Sequence, residues 1–179
     1  MKFNEFYSLT IVHSRDIILV KGVDYMNITK QKSQKTFDKQ AADYDTNIQG
    51  EHARKLYKPI IENLKNKNIH SILDLGCGTG ALLKEIKELN IAEQLFGIDI
   101  SPNMLEIAKN KLGNDATLIL GDSERLPFED SSFDAIVCND SFHHYPQPDI
   151  VEKEVSRCLK QNGVYNTIYC GSLCHIIVC

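Results

Sequence analysis

One short segment constrains the fold of this chain more than any other: an apolar run that breaks into glycines and reopens as a helical pattern. Residues 72–81 read I-L-D-L-G-C-G-T-G-A. The apolar residues are typical of a buried strand, and the glycines permit backbone angles that other residues avoid, so a ligand can approach the main chain closely. The helix that follows offers its first N–H groups to that ligand. The segment therefore predicts a strand, a turn and a helix at a nucleotide-like cofactor.

A carboxylate ends the next apolar run. Asp99 follows residues 95–98, about 20 residues beyond the glycine turn, where an acidic side chain can accept hydrogen bonds from ribose hydroxyls. The turn and Asp99 together predict a site for an adenosine-type cofactor. Gly76, Gly78 and Ala81 also fit the dinucleotide-binding pattern G-x-G-x-x-G/A, so an NAD-dependent oxidoreductase of similar fold stays open as an alternative.

Apolar runs and helical patterns alternate through the rest of the chain. Strands are predicted at residues 69–75, 94–99, 116–120 and 135–139 and from 164; helices are predicted at residues 80–89, between Ser101 and Gly113, and from Pro148. This alternation predicts an α/β fold with a doubly wound, mostly parallel sheet. In such a sheet the ligand lies outside the carboxyl ends of the strands, where the strand order reverses.

The front of the chain is helical. Phe37, Ala41 and Tyr44 are spaced to share one helical face, and a second helix is predicted over residues 51–66 with a bend at Pro59. We expect these segments to cover the cofactor site.

Several blocks of sequence, in a fixed order, resemble the class I S-adenosylmethionine-dependent methyltransferases. They are F-D-K-Q-A-A-D-Y-D (37–45), D-L-G-C-G-T-G (74–80), G-I-D-I-S-P-N-M-L (97–105), G-D-S-E-R-L-P-F (121–128), F-D-A-I-V (133–137) and L-K-Q-N-G (159–163). Within that superfamily the chain is most similar to small-molecule enzymes related to the quinone-biosynthesis C-methyltransferases. The resemblance implies a Rossmann-like methyltransferase fold, S-adenosylmethionine as the cofactor and a small-molecule acceptor.

The resemblance also implies which residues contact the cofactor. Asp99 holds the ribose, Asp122 and the Ser123 amide meet the adenine, and Asp74 orients the amino acid end. The full set of expected cofactor-binding residues is Tyr44, Asp74, Gly76, Gly78, Asp99, Ile100, Met104, Asp122, Ser123 and Asn139. Structural alternatives stay open for five of these residues: packing for Tyr44, a cap of the glycine turn for Asp74, a purely structural role for Asp99, plain core for Met104 and a surface turn for Asp122.

Two histidines follow the fourth predicted strand. The segment Asn139 to Tyr145 lies where acceptors meet the cofactor in the family that the chain resembles, and it contains His143 and His144. Methyl transfer needs alignment, and it can need removal of a proton from the attacking atom, which suits a group that titrates near neutral pH. His143 and His144 are therefore the candidate catalytic bases, with a packed or pocket-lining histidine as the alternative.

Composition limits the other function classes. With 20 Lys and Arg against 24 Asp and Glu, the chain has a net charge of −4 and no basic field for a phosphate backbone, so we expect no nucleic-acid substrate. Residues 9–20 are apolar but are interrupted by His13, Arg15 and Asp16, so we expect neither a membrane span nor a signal peptide. These features predict a cytoplasmic protein.

The six cysteines are scattered, which favours a reducing compartment and no disulfide framework. Cys77 is expected to be a buried, unreactive thiol. Cys170, Cys174, His175 and Cys179 match no usual zinc spacing, so no metal site is expected.

Both ends of the chain depart from the family pattern. We divide the chain into an atypical N-terminal extension (1–25), a helical N-terminal cap (26–68), an S-adenosylmethionine-binding α/β core (69–170) and an atypical tail (171–179). The usual final strands are not recognisable after Gly163, so the C-terminal strands are expected to be missing. A sheet edge without these strands would leave backbone groups unpaired and so favour a homodimer. The missing strands also leave open, as an alternative to an active methyltransferase, a catalytically impaired cofactor-binding remnant.

Overall fold

A single sheet organises the molecule, for which a computed structural model describes residues 22–168 and 175–178. Its described strands are β1 (Ile69–Leu75), β2 (Ala92–Asp99), β3 (Ala116–Leu120), β4 (Phe133–Asn139), β5 (Leu159–Ile168) and β6 (His175–Val178). They lie in the order β3-β2-β1-β4-β5-β6; the first five are parallel, and β6 is antiparallel to β5. The predicted α/β fold with a mostly parallel sheet is confirmed.

Helices join and cover these strands. They are α1 (Gly22–Gln40), α2 (Ile48–Lys55), α3 (Tyr57–Leu64), α4 (Ala81–Glu88), α5 (Pro102–Leu112) and α6 (Pro148–Cys158). The start of α5 is as predicted: the Ser101 hydroxyl accepts a hydrogen bond from the Met104 amide at 3.1 Å, and Pro102 occupies the first turn. Its end is as predicted too, at Gly113 with φ +57°. Within the described residues, no helix is long and apolar enough to cross a membrane.

The core fills both faces of the sheet because successive side chains of a buried strand point to opposite sides. Ile72 of β1 packs in a cluster with residues of α3 and α4, including Leu64 and Ile86. Its neighbour Leu73 packs on the other face in a cluster with residues of α6, including Val155. Each fully buried leucine or isoleucine of this kind contributes about 1.5–3 kcal/mol.

β1 occupies the place where the strand order reverses. It pairs with β2 on one side and with β4 on the other, so the chain leaves β1 and β4 in opposite directions across the sheet. A crevice opens at the carboxyl ends of these strands, as is usual in doubly wound sheets. The glycine turn, Asp99 and Asn139 all lie at this crevice.

Two helix boundaries differ from the predictions. The predicted bend at Pro59 is wrong: the chain breaks at Leu56, between α2 and α3. Pro59 stands in the first turn of α3, where its missing N–H would have no acceptor within the helix. α1 ends at Gln40, so Tyr44 lies in the turns after the helix and does not share a helix with Phe37.

The C-terminal edge of the sheet is a short antiparallel strand, β6, which pairs with β5 through Val164 and Val178 at one end and Thr167 and His175 at the other. Several features fall outside the described residues: the N-terminal extension up to residue 21, with its apolar segment 9–20, and Cys170, Cys174 and Cys179.

Candidate cofactor and acceptor site

A cleft opens at the carboxyl ends of the central strands, with about 710 Å³ of space that includes its open mouth. Nine of the ten expected cofactor-binding residues line it, together with His144: Tyr44, Gly76, Gly78, Asp99, Ile100, Met104, Asp122, Ser123 and Asn139. The tenth, Asp74, lines a smaller pocket that shares Tyr44, Gly76, Gly78 and Asn139 with the cleft. The cleft is also lined by residues that the sequence analysis did not select: Lys30, Ser33, Phe37, Gly121, Asp140, Ser141, Tyr145 and Pro146.

The glycine turn forms one wall of this cleft. The amides of Gly76 and Cys77 donate to the Ile98 carbonyl at 2.8 and 3.1 Å, which fixes the turn to the end of β2. A Cβ at Gly76 would lie 2.7 Å from the Ser141 Cβ, so only glycine fits there. Gly78, with φ +53°, has no atom within 4 Å of the position of a Cβ. The space beside Gly78 is therefore open to a ligand.

Asp99 lies at the base of the cleft and is already held by main-chain donors. Its Oδ2 accepts from the Gly78 amide and its Oδ1 from the Ser101 amide, both at 2.8 Å. Burial raises the pKa of Asp99, and the hydrogen bonds from Ser101 and Gly78 oppose that rise. Because each carboxylate oxygen has a second lone pair, Asp99 can still accept hydrogen bonds from ligand hydroxyls.

Asp74 is a buried carboxyl without compensation. It is 2% exposed, and no neighbouring group acts to lower its pKa. Burial raises its pKa well above the ordinary value, and the charge of Asp99 raises it further. A cationic ligand group in the adjoining pocket would stabilise its ionised form.

Carboxylates fix the N-terminal segment to the core. Asp45, in the turn after α1, accepts from the Thr79 hydroxyl at 2.6 Å and from the Lys111 ammonium at 2.7 Å. Asp38 of α1 accepts from the Ser101 hydroxyl at 2.6 Å. The N-terminal segment is thus joined to both the glycine turn and the start of α5, and its residues Phe37 and Tyr44 line the cleft.

A lysine of α1 reaches the loop after β3. The Lys30 ammonium donates to Asp122 Oδ2 at 2.6 Å and also pairs with Glu124. Asp122 Oδ1 accepts from the Glu124 amide at 2.9 Å, so Asp122 both shapes its own turn and lines the cleft. Lys30 was missed because no local pattern indicates that α1 crosses this loop.

The segment after β4 supplies a second set of polar groups. Asp140 has φ +55°, and its amide donates to the Ile168 carbonyl at 2.7 Å. Its Oδ2 lies 3.1 Å from His52 Nδ1, whereas its buried Oδ1 has no hydrogen-bond partner in the described structure. Next to it, the side-chain Nδ2 of Asn139 donates to the Ala53 carbonyl at 3.2 Å, and Asn139 Oδ1 is also buried without a partner in the described structure.

The two candidate bases are placed differently. His144 lines the cleft, with its ring 5.1 Å from that of Phe37 in an edge-on contact. Burial lowers the pKa of His144, His143 lowers it further, and Asp140 partly opposes this. His144 is therefore neutral at pH 7 and able to accept a proton. His143 is exposed and does not line the cleft.

Two further sequence expectations concern reactive groups. Cys77 is buried as predicted, and burial raises the pKa of its thiol well above the ordinary value, which favours the protonated form. No cluster of three or more His, Cys, Asp or Glu able to hold a metal ion occurs among the described residues.

Similarity to known proteins agrees with the geometry. Residues 73–166 match the family described as a methyltransferase domain. The demethylmenaquinone methyltransferase of Thermotoga maritima is 34% identical over 138 residues, covering 75% of this chain and 60% of the relative. The malonyl-[acyl-carrier protein] O-methyltransferase of Legionella pneumophila is 34% identical over 135 residues, covering 72% and 46%.

A solved structure shares the fold. Protein PH0226 of Pyrococcus horikoshii has a TM-score of 0.60 and 27% identity, with 72% of this chain and 61% of that chain covered. The chain spans about half the length of the curated relatives it matches. On the family match, the identity to the curated relatives and the shared fold, this chain belongs to the class I S-adenosylmethionine-dependent methyltransferases.

Proposed function

We propose that this chain binds S-adenosylmethionine and transfers its methyl group to a small-molecule acceptor. The observation that carries the proposal is the Asp99 carboxylate, held at the base of the cleft by the Gly78 and Ser101 amides. When bound, this cofactor supplies a methyl group on a sulfonium, a good leaving group. The chain then has to align the acceptor and exclude water from it.

The cofactor is held by three parts of the cleft. Asp99 accepts from the ribose hydroxyls. Ile100 and Met104 would contact the adenine from one side. On the other side, in the loop after β3, the Asp122 carboxylate would accept from its amino group and the Ser123 amide would donate to its ring. The backbone of Gly76 and Gly78 passes beside the cofactor.

The methionine end lies in the adjoining smaller pocket. Its ammonium group would lie beside the buried Asp74 carboxyl. In the free protein no neighbouring cation stabilises the ionised form of that carboxyl. Tyr44 closes over this end from the N-terminal segment, and Asn139 meets it from the end of β4. The open space beside Gly78 and the uncompensated Asp74 both fit this cofactor.

For proton removal from the acceptor, we propose His144 as the base. It lines the cleft, and its lowered pKa keeps it neutral. His143 was an equal candidate in the sequence. Because it is exposed and does not line the cleft, we assign it no part in proton removal; its ring lies against that of His144, with centroids 4.0 Å apart.

Calorimetric titration separates this function from its alternatives. We expect S-adenosylmethionine and S-adenosylhomocysteine to bind and NAD not to bind. NAD binding without S-adenosylmethionine binding would favour an oxidoreductase. Cofactor binding without formation of S-adenosylhomocysteine across a broad panel of acceptors would favour the catalytically impaired remnant.

We also propose the division into a helical cap (26–68) and an α/β core (69–170), flanked by residues 1–25 and 171–179. The Asp38 and Asp45 contacts support a cap that docks on the core.

A cytoplasmic location and the absence of a nucleic-acid partner are proposals that rest on the net charge of −4 and on the absence of disulfides among the described cysteines. A homodimer through the C-terminal edge is supported by the place of β6 at the end of the sheet.

A further inference from the structure

The loop after β4 presents two hydrogen-bond acceptors that no described residue satisfies. They are Asp140 Oδ1 and Asn139 Oδ1, both buried, and both residues line the cleft. A buried polar atom without a partner costs about 1–3 kcal/mol, more when the group is charged. Such atoms in a ligand cleft mark a place where the ligand itself supplies the missing donor.

One carboxylate oxygen of Asp140 is held in place, and the other is left without a partner in the described structure. Its backbone is in the left-handed region, φ +55°, and is fixed by the hydrogen bond from its amide to the Ile168 carbonyl. Its other oxygen, Oδ2, accepts from His52 Nδ1; since a carboxylate only accepts, this nitrogen carries the proton. His52 therefore positions the side chain and leaves Oδ1 for a ligand.

The charges around the cleft favour one kind of ligand. Asp99, Asp122 and Asp140 all line it, and its described ammonium, Lys30, is already paired with Asp122 and Glu124. The field of Asp140 reaches across the cleft: it raises the pKa of Tyr44, after burial, and it also acts on His144. An acceptor with a carboxylate or phosphate group would be repelled by these carboxylates, and no unpaired described ammonium lines the cleft to neutralise it.

We propose that the acceptor carries an N–H or O–H donor and no negative charge, and that this donor binds Asp140 Oδ1, while Asn139 Oδ1 stays with the methionine end of the cofactor. This proposal rests on the function proposed above, because it assigns the acceptor half of the same cleft. Asp140 fixes the acceptor beside His144. A cationic amine is the best match, a neutral alcohol or phenol the next, and an anion is excluded.

Three small phenols that differ in one group test the proposal. Tyramine, tyrosol and 4-hydroxyphenylacetate share a phenol ring and differ in an ammonium, a hydroxyl and a carboxylate. Their dissociation constants are measured by NMR titration, on the free protein and on the protein saturated with S-adenosylhomocysteine. We expect tyramine to bind about tenfold or more tightly than 4-hydroxyphenylacetate, with tyrosol in between.

Variants locate that preference. Asp140→Asn keeps the size of the side chain, and asparagine tolerates the left-handed backbone at this position. The change removes the negative charge, so we expect the preference for tyramine to be lost. Asp149→Asn, an exposed change outside the cleft, keeps it. His52→Leu reduces the preference, and His52→Asn, which retains a donor, restores it, while the affinity for S-adenosylhomocysteine stays within about twofold in all four variants.

The outcomes are separable. Equal binding of the three phenols, a preference for the carboxylate, no binding at all, or a preference that survives Asp140→Asn would each overturn the assignment. Failure of S-adenosylhomocysteine to bind the wild-type protein would instead contradict the proposed function. The titrations on the free protein still test the acceptor assignment in that event.

Discussion

The Thr79 hydroxyl donates to the Asp45 carboxylate at 2.6 Å, joining the glycine turn to a residue 34 positions earlier in the chain. Lys111 completes the contact by donating to both partners, at 2.7 Å to Asp45 and at 3.0 Å to Thr79. Burial alone would raise the pKa of Asp45, but the hydrogen bonds from Lys111 and Thr79 lower it below the ordinary value. Asp45 is therefore ionised at neutral pH and ties the segment after α1 to the glycine turn and to α5.

Asp45→Ala should loosen this tie. We expect the free energy of unfolding to fall by about 1 kcal/mol, a modest value because the side chain is 40% exposed and screened by solvent. The loss is present at neutral pH and disappears as the pH falls through the lowered pKa of Asp45, where the wild-type contact is itself lost. Urea denaturation at several pH values measures it, with Asp43→Ala as an exposed control. Equal effects of the two changes at pH 7 would show that the tie is unimportant.

Asp99→Ala should weaken the cofactor. Removal of charge-assisted hydrogen bonds of about 1.5–3 kcal/mol predicts a loss of about tenfold or more in affinity for S-adenosylmethionine. Isothermal titration calorimetry measures it, and Asp99→Asn serves as the variant of matched shape. Unchanged affinity in a folded Asp99→Ala protein would remove Asp99 from the site.

Asp74→Asn should have opposite effects on the free protein and on binding. Because burial raises the pKa of Asp74, the stability of the free protein is full at low pH and falls as the pH rises through that raised pKa. The asparagine variant carries no charge to bury, so its melting temperature should exceed that of the wild type in this range, while its affinity for S-adenosylmethionine falls.

The same residue predicts proton release. The cofactor ammonium lowers the pKa of Asp74, so binding strengthens with rising pH and expels a proton. The calorimetric enthalpy of binding should then differ between buffers of different ionisation enthalpy, and this difference should be absent in Asp74→Asn. A buffer-independent enthalpy in the wild type would contradict the placement of the ammonium beside Asp74.

His144→Gln should lower turnover by about 10²-fold or more, the usual contribution of a general base, and leave cofactor affinity nearly unchanged. The lowered pKa of His144 predicts that the wild-type rate holds as the pH falls below 7 and drops when it passes through that pKa. S-adenosylhomocysteine formation with an acceptor found by panel screening provides the assay. The exposed His143→Gln is the matched control, and a larger effect there than at His144 would reverse the assignment.

The edge strand β6 predicts self-association. Its backbone is paired with β5 on one side, and the sheet order leaves its other side without a described partner. We expect a dimer by light scattering on dilute protein, and a monomer for Ile177→Lys, since a charged edge opposes strand pairing. A monodisperse wild-type monomer would contradict this edge as a contact surface.

Sequence reasoning succeeded where the determinants are local. The Gly76 turn, the Ser101 cap and the Asp99 position follow from residues adjacent in the chain, and the structure places all of them as expected. It failed where the answer depends on how distant segments pack. Lys30 reaches the cleft only because α1 crosses the loop after β3, and the orientation of Asp140 depends on His52 and Ile168.

The position of β1 between β2 and β4 separates the two proposed roles along the sheet. The end of β2 and the loop after β3 carry Asp99 and Asp122, while the loop after β4 and helix α2 carry Asp140 and His52. Substitutions on the β4 side leave the Asp99 hydrogen bonds untouched. A new acceptor preference can therefore evolve, or be engineered, in one loop and the helices that face it, while the half of the sheet assigned to the cofactor is inherited unchanged.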